Sequence, residues 1–164
     1  MKSKYLILCT VSAIILLLDQ STKLFIDRCM RLKSHPQPVV ENFFNITYIR
    51  NKGAAFGFLA DSSFHRPFLI LLSIIAIVVI IGVYRKLRTE QKLTAAALSL
   101  IFAGALGNLI DRIRLGEVID FIYVHWYGHH WPAFNVADSA ICIGVFLLAI
   151  DMFLDERRKK SERQ

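Results

Sequence analysis

The chain has 164 residues, 55% of them hydrophobic, with a formal net charge of +7 and a mean hydropathy of +0.47. That apolar share exceeds the roughly 45–50% usual for soluble domains, and the length suits one domain, 1–164, without linker, repeat or low-complexity tract. The basic residues lie beside apolar runs and no aromatic-and-basic recognition stretch accompanies them, which points to membrane lipids and argues against nucleic acid as a partner.

Crossing the hydrocarbon takes about 20 mainly apolar residues, and four runs meet that need. The first covers about 5–26, "YLILCTVSAIILLL" leading into "DQSTKLFI". Lys2 and Lys4 before it resemble a signal peptide, but no A-x-A-like cleavage site follows and apolar character resumes after Lys23, so a retained helix is expected. Next comes "NFFNITYIRNKGAAFGFL", Asn42 to Leu59, rich in aromatic and β-branched residues; it predicts a strand, a turn at Lys52-Gly53, then more extended chain.

The second helix is expected over 67–84, with Pro67 at its start. The third, about 94–112, is short, and Ala95, Ser99, Ala103 and Gly107 recur every four positions. Such a small-residue stripe lets neighbours approach closely and predicts a central helix. "EVIDFIYVHWYGHHWPAF", Glu117 to Phe134, reads as a second strand-like run whose Trp126, Tyr127 and Trp131 suit a headgroup layer. The fourth helix is expected over about 136–154. The fold class is therefore a membrane all-α, four-helix bundle carrying a small β-sheet, or cradle, built from the outer loops. The cysteines Cys9, Cys29 and Cys142 form no disulfide framework.

Orientation follows from charge. Lys2, Lys4, Arg85, Lys86, Arg88, Lys92 and the basic cluster Arg157–Lys160 with Arg163 share one side, which the positive-inside tendency makes cytoplasmic. Arg28, Arg31, Lys33, Arg50, Lys52, Arg66 and Arg114 are spread over the longer loops opposite. Both termini are then inside.

Placed on this topology, the intramembrane polar residues gather at the outer end. Asp19 and Lys23, four apart on one helix face, read as a structural ion pair. Asn108, Asp111 and Arg112 close the third helix, and Arg112 has a donor fork suited to positioning carboxylates or carbonyls. Asn135 and Asp138 open the fourth, where both have an ordinary capping explanation. Yet a carboxylate in a spanning helix costs about 2.5–3.5 kcal/mol at mid-bilayer, and a second, Asp120, stands in the apolar context "VIDFI". Two carboxylates together resist joint ionisation, so one keeps a proton while the other can take one from water. Spacing alone leaves a proton relay and a protease equally open.

The motifs resemble those of lipoprotein signal peptidase (signal peptidase II), a family of bacterial membrane aspartic proteases. "DQSTK" (19–23), "RNKGAAFG" (50–57), "GALGNLIDR" (104–112), "VIDFI" (118–122) and "FNVADSAI" (134–141) match its five boxes in order, across essentially the whole chain. The resemblance implies that Asp120 and Asp138 are the catalytic dyad. It implies supporting or substrate-positioning roles for Asp19, Lys23, Asn51, Gly53, Asn108, Arg112, Asn135 and Ala137. The implied substrate is a prolipoprotein whose lipobox cysteine carries a diacylglyceryl group, cut just before that cysteine in the bacterial inner membrane. No cofactor, metal or obligate protein partner is implied.

Three other readings compete. A zinc protease could use His125, His129 and His130, but the stretch is strand-like, is interrupted by Gly128 and lacks the H-E-x-x-H glutamate, so exposed loop histidines are expected. A proton-coupled transporter would spread ionisable residues through the bilayer depth, and the second helix has none in its apolar core. A scaffold would leave Asp120 and Asp138 unexplained. "NIT" at Asn45 matches a glycosylation acceptor, discounted because the resemblance is to a bacterial family.

Overall fold

The computed structural model describes residues 2–32, 35–53 and 65–161. Among these described residues, four helices are long and apolar enough to cross a membrane: α1 (Lys2–Cys29), α2 (His65–Lys86), α3 (Lys92–Leu115) and α4 (Val136–Ser161). Their backbone groups bond internally, the only open-chain solution that hydrocarbon allows. Each helix runs past its apolar stretch into charged flanks such as Arg28, Arg85 and Lys86.

Most of α3 is buried, whereas α1, α2 and α4 keep apolar faces outward, where lipid would lie. Helix α3 touches all three others, and its small-residue stripe explains why: Ala95, Ser99 and Ala103 are fully covered. A Cβ at Gly104 would strike the Ala137 carbonyl and Ile141 of α4, and one at Gly144 would lie 2.7 Å from the Ala97 carbonyl. The α3–α4 seam is thus closed by glycine on both helices. At the end remote from the sheet, Lys4 Nζ donates to the carbonyls of Tyr84, Arg85 and Leu87, so the amine of α1 caps α2. The Tyr84 hydroxyl donates back to the Lys4 carbonyl at 2.5 Å.

At the other end the connections form one four-stranded antiparallel sheet in the order β1 (Gln37–Val40), β2 (Phe44–Asn51), β3 (Val118–Trp126), β4 (His129–His130). The strand expected near Asn42 is β2. The turn at Lys52-Gly53 is an Asx-type turn, with the Gly53 N–H donating to Asn51 Oδ1 at 2.9 Å. The extended continuation expected to Leu59 lies outside the described residues. Strand β1 was not foreseen, because Pro36 and Pro38 argue against a strand; it is tolerated as an edge.

The histidines differ from expectation. They are exposed or half-buried, but they stand on strands rather than in a loop. Tyr127 and Gly128, with φ of 43° and 81°, form a two-residue turn with both central residues in the left-handed region, and His125 pairs across it with His130. The sheet sits on the bundle through Ile26, Tyr48, Ile119 and Phe121, which form one buried cluster.

Candidate functional site

Helix α3 ends at Gly116, whose φ of 79° and bond from its N–H to the Arg112 carbonyl turn the chain sharply. Two residues later β3 begins, and Asp120 is its third residue, 3% exposed. Beside it β2 carries an irregularity between Ile46 and Ile49, after which Ile49 pairs with Asp120 and Asn51 with Val118. Bulges of this kind re-aim side chains next to sites. Here the strand end points Asn51 Nδ2 at Asp120 Oδ2, 3.0 Å away.

The fourth element is the first turn of α4. Asn135 is its N-cap: its Oδ1 accepts the Asp138 N–H at 2.9 Å, while Asp138 Oδ2 accepts the Asn135 N–H at 3.3 Å. This is a reciprocal capping box with aspartate in the glutamate position. The capping explanation available from sequence is therefore real, but it does not exhaust either residue. Asn135 Nδ2 also donates to Asp120 Oδ1 at 2.8 Å, to the Ile119 carbonyl at 3.2 Å and to Asn108 Oδ1 at 3.3 Å. Asn108 Nδ2 donates to Asp138 Oδ1 at 2.7 Å. Each carboxylate thus receives one amide donor of its own, from Asn51 or Asn108, and a further donation from Asn135.

Behind these groups lies a buried charge cluster. Lys23 Nζ is 2.9 Å from Asp19, 3.0 Å from Asp111 and 3.0 Å from Asn108 Oδ1. All three ammonium donors are used. The bond to Asn108 Oδ1 fixes which way that amide faces and leaves its NH₂ for Asp138. Asp19 also accepts the Ala137 N–H at 2.9 Å, which fastens the start of α4 to α1. Gln20 Nε2 bridges Asp19 and Asp111, and Asp111 accepts the Ile119 N–H at 3.3 Å.

The two acids open onto one cavity of about 470 Å³. Asn51, Gly53, Asn108, Arg112, Asp120 and Asp138 form its polar side. Val118, Ile141, Cys142 and the rim 131–134 form its apolar side. Burial pushes the Asp120 carboxyl up to about 7, and the charge of Asp138 adds to that rise; the amides of Asn51 and Asn135, and then Lys23, oppose it. An acid so placed changes protonation near neutral pH, as general acid–base work requires. Among the described residues no group of three or more histidine, cysteine or acidic side chains could hold a metal ion.

Of the ten residues singled out from sequence, six line this cavity, Asn135 bridges the two acids, and Ala137, Asp19 and Lys23 stand directly behind. The pairing of Lys23 with Asp111 as well as Asp19, and the bridge through Gln20, were not legible, because they join α1 to α3 across 88 and 91 residues. The one available signal was the presence of Asp111 and Asn108 at the depth of Lys23. The rim 131–134 also went unread as a cavity wall.

Comparison with known proteins places similar chains in one family. A family model described as signal peptidase (SPase) II matches residues 11–154. A protein named lipoprotein signal peptidase in Geobacter sulfurreducens is 61% identical over 159 residues, 97% of this chain and 99% of that one. Another of that name in Geobacter metallireducens is 56% identical over 162 residues, 99% of each. A bacterial membrane enzyme structure solved by the in meso method at 2.3 Å resolution superposes with a TM-score of 0.83 at 36% identity, covering 93% of this chain and 90% of that one.

Proposed function

We propose how this chain works from one premise: it belongs to the signal peptidase II family, which cleaves signal peptides from prolipoproteins. On our reading it is an aspartic protease in which Asp120 and Asp138 share one proton. Asp120, which burial drives toward the neutral form, donates to the scissile carbonyl oxygen. Ionised Asp138 takes a proton from water as the water oxygen attacks the carbonyl carbon. The gem-diol intermediate collapses when that proton passes to the leaving nitrogen, the C–N bond breaks and one hydroxyl returns its proton to Asp120. The products are a new carboxyl end on the signal peptide and a free amine on the lipoprotein.

One observation carries this reading: two acids from separate elements, tied by one asparagine, line one cavity. In the supporting roles, Asn51 and Asn108 orient the acids, and Asn135 holds them in register. Arg112 lines the same cavity, within electrostatic reach of both acids, and is suited to grip a substrate carbonyl. Gly53, with no side chain, lines the same cavity and leaves room for substrate backbone. Lys23, Asp19 and Ala137 keep this frame stiff.

The substrate is a prolipoprotein with a diacylglyceryl group on its lipobox cysteine, entering from the bilayer and cut before that cysteine. The mix of polar floor and apolar wall supports this, since the acyl chains can remain in lipid while the peptide bond meets the acids. The basic flanks at the ends of α2 and α4 support cytoplasmic termini, with the sheet and cavity at the extracytoplasmic face of the inner membrane.

The test uses purified protein in detergent and a lipidated lipobox peptide. Asp120→Asn and Asp138→Asn each reduce cleavage by at least about 10²-fold while remaining folded. Wild-type cleavage by either variant rules out the dyad. Unlipidated precursor turns over poorly, because each lost acyl CH₂ forfeits about 0.8 kcal/mol of burial. Equal turnover of both forms removes the lipid requirement.

A further inference from the structure

We propose that Tyr48 and Arg50, anchored on Asp27, are positioning residues for the hydrolysis, setting where Asn51 stands against Asp120; this rests on the dyad reading above.

Strand β2 presents opposite faces at successive residues. On one face Tyr48 and Arg50 meet Asp27, in the last turn of α1. The Tyr48 hydroxyl donates to the Asp27 carboxylate, Arg50 Nε donates to the Tyr48 oxygen at 2.9 Å, and Arg50 Nη2 donates to Asp27 at 2.9 Å. Each of the three groups therefore bonds both others. The Tyr48 ring is 3% exposed among Ile26, Ile119 and Phe121. On the opposite face, one residue beyond Arg50, Asn51 ends the strand and donates to Asp120.

Two features give this clip its leverage. The β2–β3 pairing is irregular between Ile46 and Ile49, so the last residues of β2 are not held by an unbroken ladder from the strand's start. After Asn51 the chain turns at once, and Asn51 Oδ1 is committed to the Gly53 N–H. Tyr48 thus ties the irregular stretch itself to α1, and Arg50 ties the residue next to the Asn51 amide. A purely stabilising purpose fits poorly, because Asp27 and Arg50 are each 32% exposed at the side chain, and ion pairs so open to solvent contribute little.

The Asn51 amide favours the ionised form of Asp120. The other charged groups facing Asp120 are Asp138 from α4, Lys23 from α1 and Arg112 from α3. None of them belongs to the clip. Loosening the clip therefore weakens one specific donation and leaves those charges in place. The alkaline limb of the rate profile, where Asp120 gives up its proton, then moves to higher pH.

The experiment measures pH–rate profiles on lipidated lipobox peptide for Tyr48→Phe and Arg50→Lys, each alone and combined with Asn51→Ala, with Asp120→Asn as reference. Tyr48→Phe keeps the packed ring, and Arg50→Lys alters only a half-exposed group, so the second reads the same quantity should the first lose stability. The expected result is an alkaline limb raised by about 0.4–1 pH, matching one hydrogen bond's net worth. KM should stay within about twofold, since the clip touches no substrate. In the Asn51→Ala background the shift should vanish, as a coupling that runs through Asn51 demands. An unmoved limb in both single variants, or an equal shift without Asn51, overturns the proposal. Full activity in Asp120→Asn would instead remove the dyad itself, a result distinct from an inactive Asp120→Asn beside an unmoved limb.

Discussion

Replacing Lys23 by methionine keeps the length of the stem but strips its charge from between two carboxylates. The ammonium is 2% exposed, Asp19 is fully covered and Asp111 is 1% exposed. Removing one partner of a buried pair costs about 3–5 kcal/mol, because the other charge is left uncompensated. Two charges are orphaned here. Asp19 keeps the Ala137 N–H and Gln20, and Asp111 keeps the Ile119 N–H and Gln20. The loss should therefore fall near the upper end, about 4–5 kcal/mol. For a chain of this size about 1 kcal/mol moves Tm by roughly 2–4 °C, so Tm should drop by roughly 8–20 °C. Tryptophan fluorescence of the detergent-solubilised protein during heating measures it. The triple variant Asp19→Asn/Lys23→Met/Asp111→Asn should regain more than half of the lost stability, since no charge remains unpaired. It should not regain activity, since nothing then fixes the Asn108 amide toward Asp138. A Lys23→Met protein within about 1 kcal/mol of wild type, or a triple variant less stable than the single, refutes the reasoning.

Stability should also depend on pH through Asp120. Its folded value of about 7 lies above that of an unfolded chain, so the native state holds the extra proton and stability falls as pH rises from about 4 to 7. Asp120→Asn should accordingly unfold at a higher temperature than wild type at pH 8, with the gap closing toward pH 4; a constant gap across that range contradicts this. At Gly107 a Cβ would sit 2.5 Å from Asp19 Oδ2 and 3.3 Å from the Ala137 side chain, so Gly107→Ala should cost about 1–3 kcal/mol and most of the activity. Gly82, with open space around it, is the control, and Gly82→Ala should leave activity unchanged. Asn135→Ala should cost about 0.5–2 kcal/mol as a lost cap and, beyond that, lower the cleavage rate more than any other asparagine replacement.

Much of the architecture was legible because hydrocarbon imposes a simple grammar: a span needs length and apolar composition, and all four helices satisfy it without help from tertiary context. The central place of α3 was readable from its four-residue recurrence of small side chains. Strand β1 was hidden by Pro36 and Pro38, which act as edge devices only once a neighbouring strand is known. The histidines carried no periodic signal distinguishing a loop from a two-residue hairpin, since Tyr127 takes a left-handed conformation that its residue type rarely adopts. Within the site, the i,i+4 relation of Asp19 and Lys23 and the N-cap of α4 are local and could be read directly. The bonds from Asn135 to Asp120 and from Lys23 to Asp111 are not local, spanning 15 and 88 residues, and no spacing rule encodes them.

The threefold reach of the Asn135 amide has a bearing on how such a molecule is made. Its oxygen starts the last helix while its nitrogen joins the acid on β3 to the amide on α3. On the dyad reading, a chain without a docked α4 lacks both Asp138 and the amide that holds Asp120, so cleavage waits until α4 has wound and packed against α3.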